Sequence, residues 1–205
     1  MRVGARGVGS FDNIEQEGIM EQTEYLRDYE KRLQDELLKL CTNYKLLDGV
    51  LLSSEDVEGR WEALALDYMA DAVTQMNQYP TVAVAWAGYV GMAVANLWDK
   101  NWELHCNDGY NSFYGADGFD DMDEHIIRDI IGFPLDSAYT KEIEEMMRRC
   151  AYSALTLIRR ENIEPQSPMA YYTFARTVKV MYRIGAAIEL KRLGYKFEKI
   201  DLPTC

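Results

Sequence analysis

The chain has 205 residues, 48% of them hydrophobic, and a formal net charge of −12. That length suits one domain with a sizeable core, and the apolar content excludes a generally disordered chain. The acidic balance excludes nucleic acid as an expected partner, since phosphate binding needs a basic surface.

Residues 1–18 are glycine-rich and lack periodicity, so a disordered leader is expected there. A helical domain is expected over residues 19–194 and an extended tail over 195–205. The first helix should run from Ile19 to Leu47. Leu26, Leu33, Leu40 and Leu47 recur every seven residues, with Leu37 and Tyr44 between them. Such a seam serves a coiled coil or a long amphipathic helix within its own bundle. Glu30 on the seam favours the bundle, and no basic region precedes the leucines, which excludes a zipper that binds DNA.

Asp48-Gly49 breaks that helix. Ser53 and Ser54 offer a cap for a second helix running to about Gln78. Its apolar stripe is Val57, Trp61, Leu64, Tyr68, Ala72 and Met76.

Pro80 then opens the central element, an uncharged run through Trp98. The helix is apolar on every face, as buried helices are. Gly88, Gly91 and Ala95 form a flat row on which another backbone can come close. The run approaches the length of a membrane span. Thr81, Asn96, the alanine-rich composition and the lack of basic flanks favour a core helix, with no membrane as partner.

Residues 99–118 are irregular and aromatic-rich, and the segment should be packed, a natural place to look for a site. A short helix is expected over Asp120–Ile131, burying Met122, Ile126, Ile127, Ile130 and Ile131, with Gly132 and Pro134 as its stop. A fifth helix should span Thr140–Arg160. A sixth should open at Ser167-Pro168 and end at Gly194, with Phe174, Val178, Met181, Gly185 and Ile188 inward. The expected fold is therefore all-α: about six helices around the central one at residues 80–98. The acidic middle of the chain and its basic last third should pack beside each other.

Three clusters are candidates for chemistry. Asp120, Asp121 and Glu124 form an aspartate-rich patch whose oxygens suit a divalent metal. His125 lies four residues after Asp121, and His105 and Asp108 sit in the aromatic loop; together they could make a two-histidine, two-carboxylate site for a transition metal or zinc. Capping of a helix N-terminus explains the same acids without a ligand. The second cluster is Arg176, Lys179 and Arg183, which share a helix face and could hold a small anion. A solvated face paired with acidic neighbours is the plainer reading. The third is a Cys106–His105 or Cys106–His125 pair, but adjacent side chains usually diverge. No GxSxG, GxGxxG or phosphate-binding glycine loop occurs.

The four cysteines, Cys41, Cys106, Cys150 and Cys205, lie far apart with no CxxC spacing. They read as reduced thiols, and no signal segment is evident, so a cytoplasmic location is expected. The leading expectation is a non-enzymatic helical module acting through self-association, as a homo-oligomer, or through another protein. A metal-dependent hydrolase or lyase using the Asp/His cluster ranks second, with divalent metal as its cofactor. A small-anion binder ranks third.

Overall fold

The computed structural model describes residues 11–196. Residues 1–10 of the leader expected over 1–18, and residues 197–205 of the tail expected over 195–205, lie outside them, while residues 11–18 belong to the first helix. The fold is all-α, with no strand among the described residues. Six helices appear in chain order: α1 (Phe11–Asn43), α2 (Glu55–Gln75), α3 (Pro80–His105), α4 (Met122–His125), α5 (Ala138–Arg160) and α6 (Pro168–Arg192). A π-helical turn, Ile126–Ile131, continues α4.

α3 is the centre, as its composition predicts. Every residue from Ala83 to Asn96 is buried apart from Trp86. It is long and apolar enough to cross a bilayer, but its apolar surface is clad by the surrounding helices. Its closest neighbour is α6. A Cβ on Gly91 would overlap the carbonyl of Tyr182, and one on Gly185 would overlap the carbonyl of Gly88. Gly91 and Gly185 therefore make room for backbone contact, while the space beside Gly88 is taken by the Met147 thioether. The matched pairs Gly88 with Gly185 and Asn96 with Glu189 make the two helices parallel.

The other helices are placed by similar ties. Tyr29 meets Thr177 at 2.7 Å and Lys191 meets Asp48 at 2.6 Å, so α1 runs parallel to α6. Cys41 meets Cys150, and Arg32 bonds Glu161, so α5 runs antiparallel to α1. The Tyr68 hydroxyl donates to the Ala83 carbonyl at 2.9 Å and Trp98 donates to Asp56 at 3.1 Å, setting α2 antiparallel to α3.

Several boundaries differ from expectation for local reasons. α1 begins at Phe11, ahead of Ile19, and stops at Asn43 rather than Leu47. Lys45 takes a left-handed φ of 65°, which turns the chain and tucks Leu47 into the core. The buried seam of α1 is thus Leu26, Tyr29, Leu33, Leu37 and Cys41. Leu40 is half-buried, and Tyr44 is exposed beneath the Arg149 guanidinium. The leucine seam is spent inside the bundle.

Ser54 precedes α2 in extended geometry but makes no side-chain cap bond. Ser137 and Ser167 do cap α5 and α6, each accepting a backbone N–H at 3.1 Å. α3 continues past Trp98 to His105, with non-helical backbone at Asn101. The wider π turn carries Ile126, Ile127 and Ile131 inward and leaves Ile130 only half-buried, unlike the expected regular helix. Gly132, at φ 93°, ends it.

Candidate functional site

The aromatic loop is packed, as expected, and its polar groups hold it in place. Tyr110, Phe113 and Phe119 are buried. Arg60 donates to the Asp108 carbonyl, Trp86 donates to the Phe119 carbonyl at 2.8 Å, and the Tyr114 hydroxyl donates to Asp71. Burial, then the Asp71 carboxylate, pushes the Tyr114 hydroxyl well above its ordinary range.

Of the candidate metal ligands, Asp121, His125 and His105 are engaged in local bonds. Asp121 accepts the Asp117 N–H at 3.0 Å and steadies the Gly115–Gly118 turn. His125 pairs with Asp129 at 2.9 Å and faces the Ser112 carbonyl at 3.3 Å. His105 pairs with Asp108 at 2.7 Å. Asp120 and Glu124 are exposed. Among the described residues, no three His, Cys, Asp or Glu side chains gather as a metal would need.

Asp123, left out of the sequence-derived set, is a half-buried carboxyl raised by its surroundings. Loss of water raises it to about 6, with Glu124 and Glu144 adding repulsion. Exposed Asp129 is drawn down to about 2 by Arg128 and then His125.

The cationic trio faces acids. Arg176 donates to Glu30 at 2.8 Å, and Arg183 donates to Gln34 at 2.6 Å and to Glu58 at 3.2 Å. Lys179 and Arg183 border a cleft of about 110 Å³ that Glu58 and Glu62 also line. That is small beside the roughly 300 Å³ at which ligand pockets begin, and its carboxylates oppose an anion. A second, open groove of about 290 Å³ lies at the foot of the bundle, beside Leu47, Leu52 and Tyr195. Its Lys191 is already held by Asp48 and the Lys45 carbonyl.

One buried polar cluster sits between α3 and α6. Glu189 is fully buried. It accepts the Asn96 amide at 2.6 Å and is clamped by Arg192 at 2.5 and 2.7 Å. The Arg192 guanidinium lies over the Phe133 and Tyr139 rings. Buried charge needs such pairing, and the cluster reads as a tie between helices.

The feature that packing leaves unexplained is the outer face of α2. Of its expected inner stripe, Val57, Trp61, Leu64, Tyr68 and Ala72 are buried, and Met76 is half-buried just past the helix end at Gln75, short of the expected Gln78. A second stripe, Ala63, Leu66, Ala70 and Val73, is exposed along the opposite side. Leu66 is 78% exposed and Val73 43%. The spacing of three, four and three places all four within an arc of about 80° on the helix. This is the pattern of a helix-pairing seam. Glu62 borders one edge and Asp67 the other. The sequence held this signal, but the stronger inner stripe on the same helix masked it.

No family model matches the chain, and neither does any curated protein or solved structure.

Proposed function

We propose that this chain is a non-enzymatic helical interaction module whose recognition element is the outer face of α2. The observation that carries the reading is the exposed stripe Ala63, Leu66, Ala70 and Val73 on a helix already anchored by its other side. Single exposed apolar residues are ordinary, but a stripe at helix-pairing spacing on a fixed helix is a ready docking surface. The small alanines let a partner backbone approach, and Leu66 and Val73 supply knobs. The expected association seam on α1 is occupied by the chain's own core, so association is reassigned to α2. The free thiols of Cys41, Cys106 and Cys150 suit a reducing, cytoplasmic setting.

The test is the size of the native particle in an extract of the cells that make it. The wild-type chain should travel in an assembly larger than its own 23.6 kDa. Leu66→Lys with Val73→Lys should return it to its own mass with the helical circular-dichroism signal unchanged. Equal mass for both, matching a lone chain, sinks the reading.

A further inference from the structure

We infer that the partner of the α2 face is an amphipathic helix flanked by lysine or arginine, rather than a second copy of this chain. The inference rests on the interaction reading above and adds the chemistry of the partner. Charge around the stripe carries it. α2 contains Glu55, Asp56, Glu58, Glu62, Asp67 and Asp71 against a single cation, Arg60. Arg60 is turned to the Asp108 carbonyl, and Glu58 is engaged by Arg183. Glu62 and Asp67, at the two edges of the stripe, have no ion-pair partner among the described residues.

Asp67 and Asp71 stand four residues apart, so they lie one turn above each other and repel. Both act on the Tyr114 hydroxyl, which places their charges together at one edge. Asp71 is turned toward Tyr114 by that bond, leaving Asp67 outward. The loop alongside carries the exposed Asp117 and Asp120.

Two copies of α2 packed on this stripe would set these acids against one another in either orientation, and like charges at a rim suppress pairing. A basic flank meets them with opposite sign. The same field repels nucleic acid and anionic membrane surfaces, leaving a cationic helix as the fitting occupant. Groove recognition by apolar anchors at three- and four-residue spacing is an established mode for helices.

The probe is a capped synthetic helix with alanine and leucine at the first and fourth heptad positions and lysine at the flanking ones. Binding to the intact purified chain is followed by fluorescence anisotropy. It should bind, weaken as salt rises, and lose about tenfold in affinity or more against Leu66→Lys. The same helix with glutamate flanks should not bind. Glu62→Lys with Asp67→Lys should reverse that preference. A scrambled peptide of equal charge but no stripe controls for loose attraction.

Equal binding of lysine and glutamate helices, or of the scrambled peptide, overturns the inference. So does a purified wild type that dimerises through this face and becomes monomeric in Leu66→Lys. That last outcome leaves the interaction reading standing. The interaction reading itself fails only in the extract experiment, so the two failures are distinguishable.

Discussion

Gly88 and Gly185 meet backbone to backbone at the crossing of α3 and α6. A methyl on Gly185 would sit inside the Gly88 carbonyl group, and neither helix can shift without disturbing the core. Gly185→Ala should cost about 2–3 kcal/mol or prevent folding. Gly88→Ala meets the Met147 thioether instead, which is flexible. Alanine also gains about 1 kcal/mol of helix propensity. Its net effect should stay within about 1 kcal/mol. Urea unfolding of the two variants measures the contrast, and equal costs would refute the backbone contact.

The Asn96–Glu189–Arg192 tie gives a second, independent test. Arg192→Ala leaves a fully buried carboxylate with no cation beside it and the Asn96 amide as its hydrogen-bond donor. The expected loss is about 3–5 kcal/mol. Glu189→Leu with Arg192→Met removes both charges and keeps the volume, so the double variant should be more stable than Arg192→Ala. Additive losses in a double-mutant cycle would show that the pair is not coupled.

Asp123 makes stability depend on pH in an unusual direction. Its carboxyl is raised from 3.8 to about 6, chiefly by burial. Between those values the folded state holds a proton that the unfolded state has released. Stability from this group is therefore present at low pH and lost as pH rises through about 6. Partial exposure limits the effect to about 1–2 kcal/mol. Asp129 and Glu161 are lowered instead, by Arg128 and Arg32 respectively. They work in the opposite sense at lower pH, so the test is a difference. Asp123→Asn should flatten the fall between pH 4 and about 6 relative to wild type. Parallel curves would show that Asp123 is not desolvated.

Leu33 separates two uses of the α1 seam. A seam used between chains would let Leu33→Asp reduce the particle mass while helicity persists. In the fold, Leu33 is fully buried beside Tyr29 and Leu37. Leu33→Asp should therefore unfold the chain, or lower its stability by more than about 3 kcal/mol, as buried unpaired charge does. Circular dichroism with and without urea decides this. A helical variant of native stability would contradict the packing.

The core was legible in the sequence because its signals were local. Pro80 marked the start of α3, the lack of charge marked its burial, and Gly88 with Gly91 marked a close crossing. The end of α1 was not legible, because a lysine in left-handed geometry carries no sign in the sequence. The π turn after His125, which carries three isoleucines inward, was hidden because a regular helix accounts for the same apolar spacing. The acids and histidines near residue 120 looked like one cluster in the sequence. In space Asp121, His125 and His105 are drawn to a backbone or carboxylate beside each, and Asp120 and Glu124 face outward. The α2 face was written in the sequence but was readable only once the other stripe on that helix had been placed in the core.

Cys41 and Cys150 bring the last prediction. Their sulfurs lie 3.6 Å apart, fully buried between α1 and α5. The hydrogen bond with Cys41 and burial both push the Cys150 thiol well above its ordinary range. Only the thiolate reacts with alkylating reagents. Cys106 is partly exposed, by contrast, on the last turn around α3. In native buffer a maleimide should label Cys106 and spare Cys41 and Cys150, as read by peptide mass mapping. Adding urea should release the buried pair together, at the concentration where helicity is lost, because α1 cannot leave α5 without opening the core. Labelling of Cys41 or Cys150 in native buffer at the rate of Cys106 would mean that α1 opens from the bundle on its own, and the α1 seam would then be available to a partner after all.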